Sequence, residues 1–269
     1  MPKKKVVIEE PPVIDNTKPI NFYALPDCEA FKIEYHNPNY NEDTMPLKHP
    51  FNMVINGVSG SGKSNILLDI IYKLNNTFEY IYIFTQNSQE QLYEYLENKI
   101  PHPYLRIFEG IEELNKLDID SLEKAQYLFI YDDMCVESDR KQDKIKFLFT
   151  RGRKLGQKCG ITNIYLSQSY YDTPRLIRKN MSKLIVKKVN GARDIKGMLK
   201  ECVLDASPQQ LMNLYNYCVP SKDHITDFLF IDISATDEKR FRKNWTEILH
   251  PENFGLRTKK HLNNLNNPN

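Results

Sequence analysis

Eight residues constrain this chain more than any others: Gly57-Val58-Ser59-Gly60-Ser61-Gly62-Lys63-Ser64. They fit the pattern G-x-x-x-x-G-K-[ST] in full, and the flanks agree with it. Phe51 to Asn56 reads as an apolar strand. Lys63 to Leu74 reads as a helix, with Ile66, Leu67, Ile70, Ile71 and Leu74 at helical spacing. A strand, a glycine-rich turn and a helix in this order form a phosphate cradle. Glycines at 57, 60 and 62 let the backbone turn tightly and approach an anion closely. The helix start adds unpaired N–H groups and the positive end of its dipole. Lys63 is the mobile charge for the β- and γ-phosphates, and the Ser64 hydroxyl is a candidate Mg²⁺ ligand.

The rest of the chain fits an α/β layered fold with a largely parallel sheet. Strand-like segments run over Tyr80 to Phe84, Leu105 to Phe108, Tyr127 to Tyr131, Asn163 to Ser167, Leu184 to Val189 and Phe228 to Ile233. Helical segments separate them at Ser88 to Leu96, with Ser88 as N-cap, Gln142 to Leu155, Pro174 to Asn180 and Pro208 to Tyr217. Residues 1–48 read as an extended arm, because Pro2, Pro11, Pro12, Pro19, Pro26, Pro38 and Pro46 defeat a long helix. Residues 49–235 are the expected phosphate-binding domain. Residues 236–269 are expected to be a partly disordered tail.

A glycine loop of this kind needs a carboxylate for Mg²⁺ at the end of a buried strand. Tyr127-Leu128-Phe129-Ile130-Tyr131 is followed by Asp132 and Asp133. Asp132 is the expected Mg²⁺ anchor, acting through water because Mg²⁺ keeps much of its hydration shell. Asp133 is placed to orient and polarise an attacking water. The plain alternative is an aspartate capping a following helix. The strand count resembles that of P-loop ATPases in which an extra strand separates the two Walker strands. In those proteins the strand after Walker B lies between the two and ends in a polar sensor, which puts Gln168 in that role. They usually carry glutamate as the second acid, and Asp133 is one methylene shorter.

Three further runs make the resemblance more specific. They are Thr150-Arg151-Gly152-Arg153-Lys154, Ile164-Tyr165-Leu166-Ser167-Gln168-Ser169-Tyr170 and Pro174-Arg175-Leu176-Ile177-Arg178-Lys179-Asn180. In this order they resemble the genome-packaging ATPases of large double-stranded DNA viruses and virophages, within the FtsK–HerA superfamily. The resemblance spans roughly Phe51 to Val189. It implies a RecA-like P-loop NTPase fold of the additional-strand kind, with ATP and Mg²⁺ as ligands. It also implies a homo-oligomeric ring, a hexamer, that pumps double-stranded DNA into a preformed capsid and meets a capsid or portal-vertex protein. An arginine of one subunit is expected to reach the ATP of its neighbour. Arg151 and Arg153 are the first candidates for that finger and Arg178 the next. The expected location is inside the host cell, in the cytoplasm or a viral factory, or with the virion.

Composition narrows what else is open. The formal net charge is +2, so nucleic-acid contact requires a local patch. Arg151, Arg153, Lys154 and Lys158 form one such group and Arg175, Arg178, Lys179 and Lys183 a second, with Lys187, Lys188 and Arg193 following. Taken singly, each group reads rather as a solvated helix face paired with acids such as Glu137, Asp139 and Asp143. The five cysteines contain no C-x-x-C pair, which fits free thiols in a reducing compartment. The longest apolar run is about five residues, against roughly 20 for a membrane-spanning helix. Two other function classes stay open. A nucleoside or nucleotide kinase would need an acceptor pocket and an arginine-bearing lid within 85–125. A non-hydrolysing, nucleotide-gated capsid assembly factor would bind without turnover.

Overall fold

A computed structural model of the chain describes Pro19 and residues 33–202, 206–219 and 225–255. The chain separates into a unit of residues 1–34 and a unit of residues 35–269, and the fold is that of the second. Most of the expected arm, up to residue 32, and the tail from 256 lie outside the described residues.

The strands are β1 (Asn52–Asn56), β2 (Tyr80–Thr85), β3 (Leu105–Glu109), β4 (Tyr127–Asp132), β5 (Ile161–Ser167), β6 (Lys183–Val186), β7 (Leu229–Asp232), β8 (Phe241–Lys243) and β9 (Glu247–Leu249). They form one sheet in the order β3-β2-β4-β5-β1-β6-β7-β8-β9. The first six pair in parallel with one another, and β7, β8 and β9 pair antiparallel, β7 with β6. β5 lies between β4 and β1, the arrangement the extra-strand resemblance implies.

Alternation along the strands decides which face each helix covers. In β4, Leu128 and Ile130 point to one face and Tyr127, Phe129 and Tyr131 to the other. The same rule puts Met53 and Ile55 of β1 opposite Val54. The aliphatic face is covered by α1 (Lys63–Lys73) and α2 (Gln91–Lys99) through Ile66, Leu67, Ile70, Tyr93 and Leu96. The other face is covered by α3 (Ile111–Lys116), α4 (Asp143–Arg151), α5 (Arg175–Asn180), α6 (Ala192–Cys202) and α7 (Pro208–Cys218). On that side aromatic rings from adjacent strands stack, Phe84 on Phe108 at 4.9 Å and Tyr82 on Phe129 at 5.3 Å. Such pairs add about 0.5–1.5 kcal/mol each beyond their buried area. Burial on both faces explains why the strands lack the polar half of an alternating pattern.

Several boundaries differ from the sequence expectations. α2 starts at Gln91 with Glu90 as its N-cap, not Ser88. Ser88 instead gives its amide and hydroxyl to the Glu109 carboxylate at the end of β3. The helix expected to reach Leu155 ends at Arg151 and tightens into a 3₁₀ turn over Gly152–Lys154. There Gly152 packs so closely that a Cβ would lie 2.8 Å from Asn163 Nδ2. The sheet also runs past residue 235: β8 and β9 follow, with Phe241, Trp245 and Leu249 buried. Likewise the layers begin before residue 49. Met45 and Leu47 are buried beside α1, and the buried Arg242 of β8 donates to the carbonyls of Glu42 (2.7 Å) and Asp43 (3.1 Å). Among the described residues no helix is long and apolar enough to cross a membrane.

His49 fixes the entry to β1. Its ring is buried between Tyr35 and Phe78. Nε2 lies 2.8 Å from the carbonyl of Cys159, and Nδ1 lies 2.8 Å from the Thr162 hydroxyl. A carbonyl only accepts, so Nε2 carries the proton and Nδ1 accepts from Thr162. Burial pushes the ring down to about 4, against the Cys159 carbonyl, which acts the other way. Between pH 6.5 and 4 the unfolded ring therefore binds a proton that the folded ring refuses. The stabilisation is present above pH 6.5 and lost as pH falls to 4, on the order of 3 kcal/mol. Urea unfolding at pH 7 and pH 4.5 should show a larger loss for the native chain than for His49→Gln. Equal losses would show that the ring does not titrate in this window.

Candidate functional site

β1, β4, β5 and β6 run in the same direction and end at the same edge of the sheet. Asn56 is in register with Ser167 and Val186, and Asp132 with Leu166. The segments leaving these strands therefore meet: the glycine loop after β1, Asp133 after β4, Gln168 after β5 and Lys187 after β6. An open α/β sheet binds ligands at this edge, where neighbouring loops diverge.

The loop hangs from two neighbouring strand exits. Gly57 donates its amide to the carbonyl of Ser167 (3.1 Å) and Val58 donates to that of Lys188 (2.9 Å). A side chain at Gly57 would be driven to 2.5 Å from Lys187 Cβ and 2.7 Å from Ser61 Oγ. Gly62 caps α1 at φ 90°, and a Cβ there would strike the carbonyl of Ile225. No side chain caps the α1 N-terminus and its first turn holds no acid, so its amides and dipole face an anion without competition. Ser59 and Gly60 are exposed at the loop tip. The Ser61 hydroxyl is buried with no hydrogen-bond partner among the described residues. Lys63 Nζ curls over the loop and donates to the carbonyls of Gly57 (2.9 Å) and Val58 (3.3 Å). Ser64 is half-buried in the first turn.

The two acids are set apart by their surroundings. Asp132 is buried and accepts a hydrogen bond from the Tyr93 hydroxyl of α2. Burial is the main cause that pushes its carboxyl up to about 6; the Tyr93 bond acts against it, and the nearby Asp133 adds to it. Asp133 is more exposed and sits in the left-handed region at φ 53°, which aspartate tolerates better than most residues. Gln168 Nε2 donates to Asp133 Oδ1 at 3.3 Å. The structure thus brings together the second acid and the sensor candidate. Among the described residues no cluster of three or more His, Cys, Asp or Glu side chains could hold a metal by itself. One carboxylate and one hydroxyl beside a phosphate cradle is instead the donor set that suits Mg²⁺, which takes the rest of its shell from phosphate and water.

The arginines are not at this edge. Arg151 ends α4 and Arg153 lies in the next turn, both exposed. They precede β5, whereas Gln168 follows it. Seven residues of strand separate the two ends by roughly 20 Å at about 3.3 Å per residue. Arg178 is held within its own chain. It pairs with Glu201 at 2.5 Å, donates to the Thr173 carbonyl and lies over Tyr170 and Tyr171 at 5.0 and 5.2 Å.

Two members of the basic groups prove to be internal. Lys183 is buried against Asp232 at 2.5 Å. Lys187 is buried under the glycine loop and donates to the carbonyls of Ile225 and Asp227, the latter at 2.7 Å. Burial pushes it down to about 8. Neither can meet a nucleic-acid phosphate. Arg151, Arg153, Lys154, Lys158, Arg175, Lys179 and Lys188 remain exposed, and the side chain of Arg193 lies outside the described ones. Residues 85–125 form α2, β3 and α3. Arg106, the arginine of that stretch, is exposed and laid over Tyr82 and Phe108 at 5.4 and 5.2 Å. Tyr93 carries no signal in the sequence, where it lies in an ordinary amphipathic helix, and Lys187 reads there as one more residue of a basic run rather than as a buried support of the loop.

Known proteins share this architecture. A genome packaging NTPase, B204 of Sulfolobus turreted icosahedral virus 2, solved with AMPPCP, superposes with a TM-score of 0.50 at 14% identity, covering 74% of this chain and 100% of that one. "DNA packaging protein OPG160" of vaccinia virus (strain Copenhagen) is 23% identical over 206 residues, 73% of this chain and 74% of that protein. The monkeypox virus protein of the same description is 23% identical, over 73% of this chain and 67% of its own length. The pattern of one family, Poxvirus A32 protein, matches residues 39–243, most of the chain, and the chain belongs to that family.

Proposed function

We propose that this chain is an ATP-hydrolysing DNA translocase that packages viral double-stranded DNA into a preformed capsid as a homo-oligomeric ring. One observation carries the reading: the glycine loop, Asp132, Asp133 and Gln168 converge at the ends of three adjacent parallel strands. Membership of the Poxvirus A32 family supports the packaging role, since its vaccinia and monkeypox relatives are called DNA packaging proteins. ATP, a hexameric ring and a capsid or portal-vertex partner follow from the resemblance to viral packaging ATPases. The site of action is the interior of the infected cell.

In this reading the loop amides and the α1 N-terminus bind the phosphates. Lys63 exchanges the Gly57 and Val58 carbonyls for the β- and γ-phosphate oxygens. Ser64 and Asp132 would hold Mg²⁺, which would neutralise charge on the phosphoryl oxygens. Asp133, steadied by Gln168, orients a water whose oxygen bonds to the γ-phosphorus as the bond to ADP breaks; its proton passes to Asp133. Arg151 or Arg153 of a neighbouring subunit supplies positive charge at the transferring group. Their distance from the loop of their own chain fits a role in the site next door. The exposed arginines and lysines are the candidates for DNA phosphates, with binding that weakens as salt rises.

Steady-state hydrolysis with and without linear duplex DNA, with mass measured in the same buffer, tests the whole. DNA-stimulated turnover in a ring-sized species is expected; unstimulated turnover in a stable monomer would remove the motor reading. Lys63→Ala should weaken nucleotide binding by about 10–100-fold, the loss of one charge-assisted contact. Asp133→Asn should bind nucleotide normally and turn over about 100-fold more slowly or worse; full turnover would take away its role. Arg153→Ala subunits mixed with Asp133→Asn subunits should recover activity that neither has alone, and mixed rings that stay inactive would exclude Arg153 as the finger. Proton and metal compete for Asp132, whose carboxyl is held near 6. Mg²⁺-dependent nucleotide binding should therefore weaken by up to about tenfold per pH unit below 6, and a flat profile from pH 7 to 5 would contradict Asp132 as ligand.

A further inference from the structure

Tyr93 is the third residue of α2 and none of it is exposed. Its ring sits in an apolar cluster, while its hydroxyl meets the Thr85 hydroxyl and donates to Oδ2 of Asp132. A buried tyrosine commonly finds a carbonyl or water for its hydroxyl; here the acceptor is the carboxylate at the end of β4. No other side-chain donor reaches Asp132 among the described residues. A carboxylate is free to turn about its last bond, and a donor fixed to one oxygen stops that rotation. The phenol is itself fully buried in the apolar cluster to which α1, α2 and the strands contribute. We infer that Tyr93 is a positioning residue for the metal-holding carboxylate: by occupying Oδ2 it presents Oδ1 of Asp132 to Mg²⁺ beside the phosphates.

Two further features fit this role. A phenol titrates ordinarily at about 10, so Tyr93 is a neutral donor in the working range. A neutral donor fixes the carboxylate without adding a charge that would compete with the cation. Partners of this kind, one bond behind a metal ligand, typically govern metal affinity by about 10–100-fold. Tyr93 also gives the metal site a mechanical connection. The helix that carries it begins six residues after Thr85, and Thr85 pairs in register with Asp132. A shift of α2 therefore alters the carboxylate directly.

The inference rests on the reading of Asp132 as the Mg²⁺ ligand, and the test separates the two. Tyr93→Phe keeps the ring that fills the core and removes only the hydroxyl. Binding of a fluorescent ATP analogue is titrated with Mn²⁺ in the full-length protein, and repeated in EDTA. Tyr93→Phe should raise the half-saturating Mn²⁺ concentration by about tenfold or more and leave the affinity in EDTA unchanged. In the Asp132→Asn background, Tyr93→Phe should have no further effect on the metal response. An unchanged Mn²⁺ requirement in Tyr93→Phe, alongside a clear loss in Asp132→Asn, would overturn the inference alone. Equal loss of binding with and without metal, or an additive loss in the double variant, would make Tyr93 a packing residue and overturn it too. No effect of Asp132→Asn on the metal response would overturn the ligand reading and the inference together.

Discussion

Gly57 and Val58 give their amides to the carbonyls of Ser167 and Lys188, so the loop is suspended between the ends of β5 and β6. Everything else at this edge depends on that suspension. An anion bound there needs converging N–H groups from a backbone that carries no side chains in the way. Gly57 can sit against Lys187 only because it has no Cβ, and Gly62 can face the Ile225 carbonyl only because φ 90° is open to glycine. The parallel order of β4, β5 and β1 then sets Asp132, Asp133 and Gln168 beside the loop without any long-range adjustment.

Buried charge supports this edge from below. Lys187 is placed between Gly57 and the 225–227 segment, and its ammonium is met by two carbonyls of that segment. An ammonium buried without such partners would be destabilising by several kcal/mol. The carbonyl of Ile225 also faces Gly62, so one segment braces both ends of the loop. Lys183 with Asp232 and Arg242 with the carbonyls of Glu42 and Asp43 repeat the device along β6 to β8. These contacts join the antiparallel end of the sheet to the chain ahead of β1. The compact unit consequently starts well before the glycine loop and ends well after the last parallel strand.

The parallel part of the fold was legible because its strands are buried on both faces and read as unbroken apolar runs, as in Tyr127 to Tyr131. The glycine loop was legible because phosphate chemistry demands its residues in order. β8 and β9 were not, since three residues each are too few for any periodicity to show. Ser88 misled because the capping preference is local, whereas the carboxylate of Glu109 that captured it comes from a neighbouring strand. Lys183 and Lys187 read as solvated charge because burial of a lysine is decided by carbonyls and carboxylates some 40 to 50 residues away. Tyr93 was invisible for the same reason: within α2 it is one more apolar position, and only the sheet brings Asp132 to its hydroxyl.

The placement of the arginines constrains how such a subunit could act. A finger must reach a phosphoryl group, yet Arg151 and Arg153 lie at the far end of β5 from the glycine loop, and Arg178 is committed to Glu201, Tyr170 and Tyr171. Among the described residues of one chain, Lys63 reaches over the loop, while Lys187 beneath it is held by the carbonyls of Ile225 and Asp227. In the ring proposed above, the turn at Gly152–Lys154, with Arg153 and Lys154 exposed, is an arginine-bearing segment that could supply a further positive charge to a neighbouring site. The Tyr35 hydroxyl donates to the carbonyl of Arg153 at 3.0 Å, so the backbone of that turn is fixed while its side chain stays exposed. Among the described residues nothing holds the Arg153 guanidinium, and an exposed side chain on a fixed turn suits the subunit contact proposed above, because little ordering entropy would be lost when the neighbour docks.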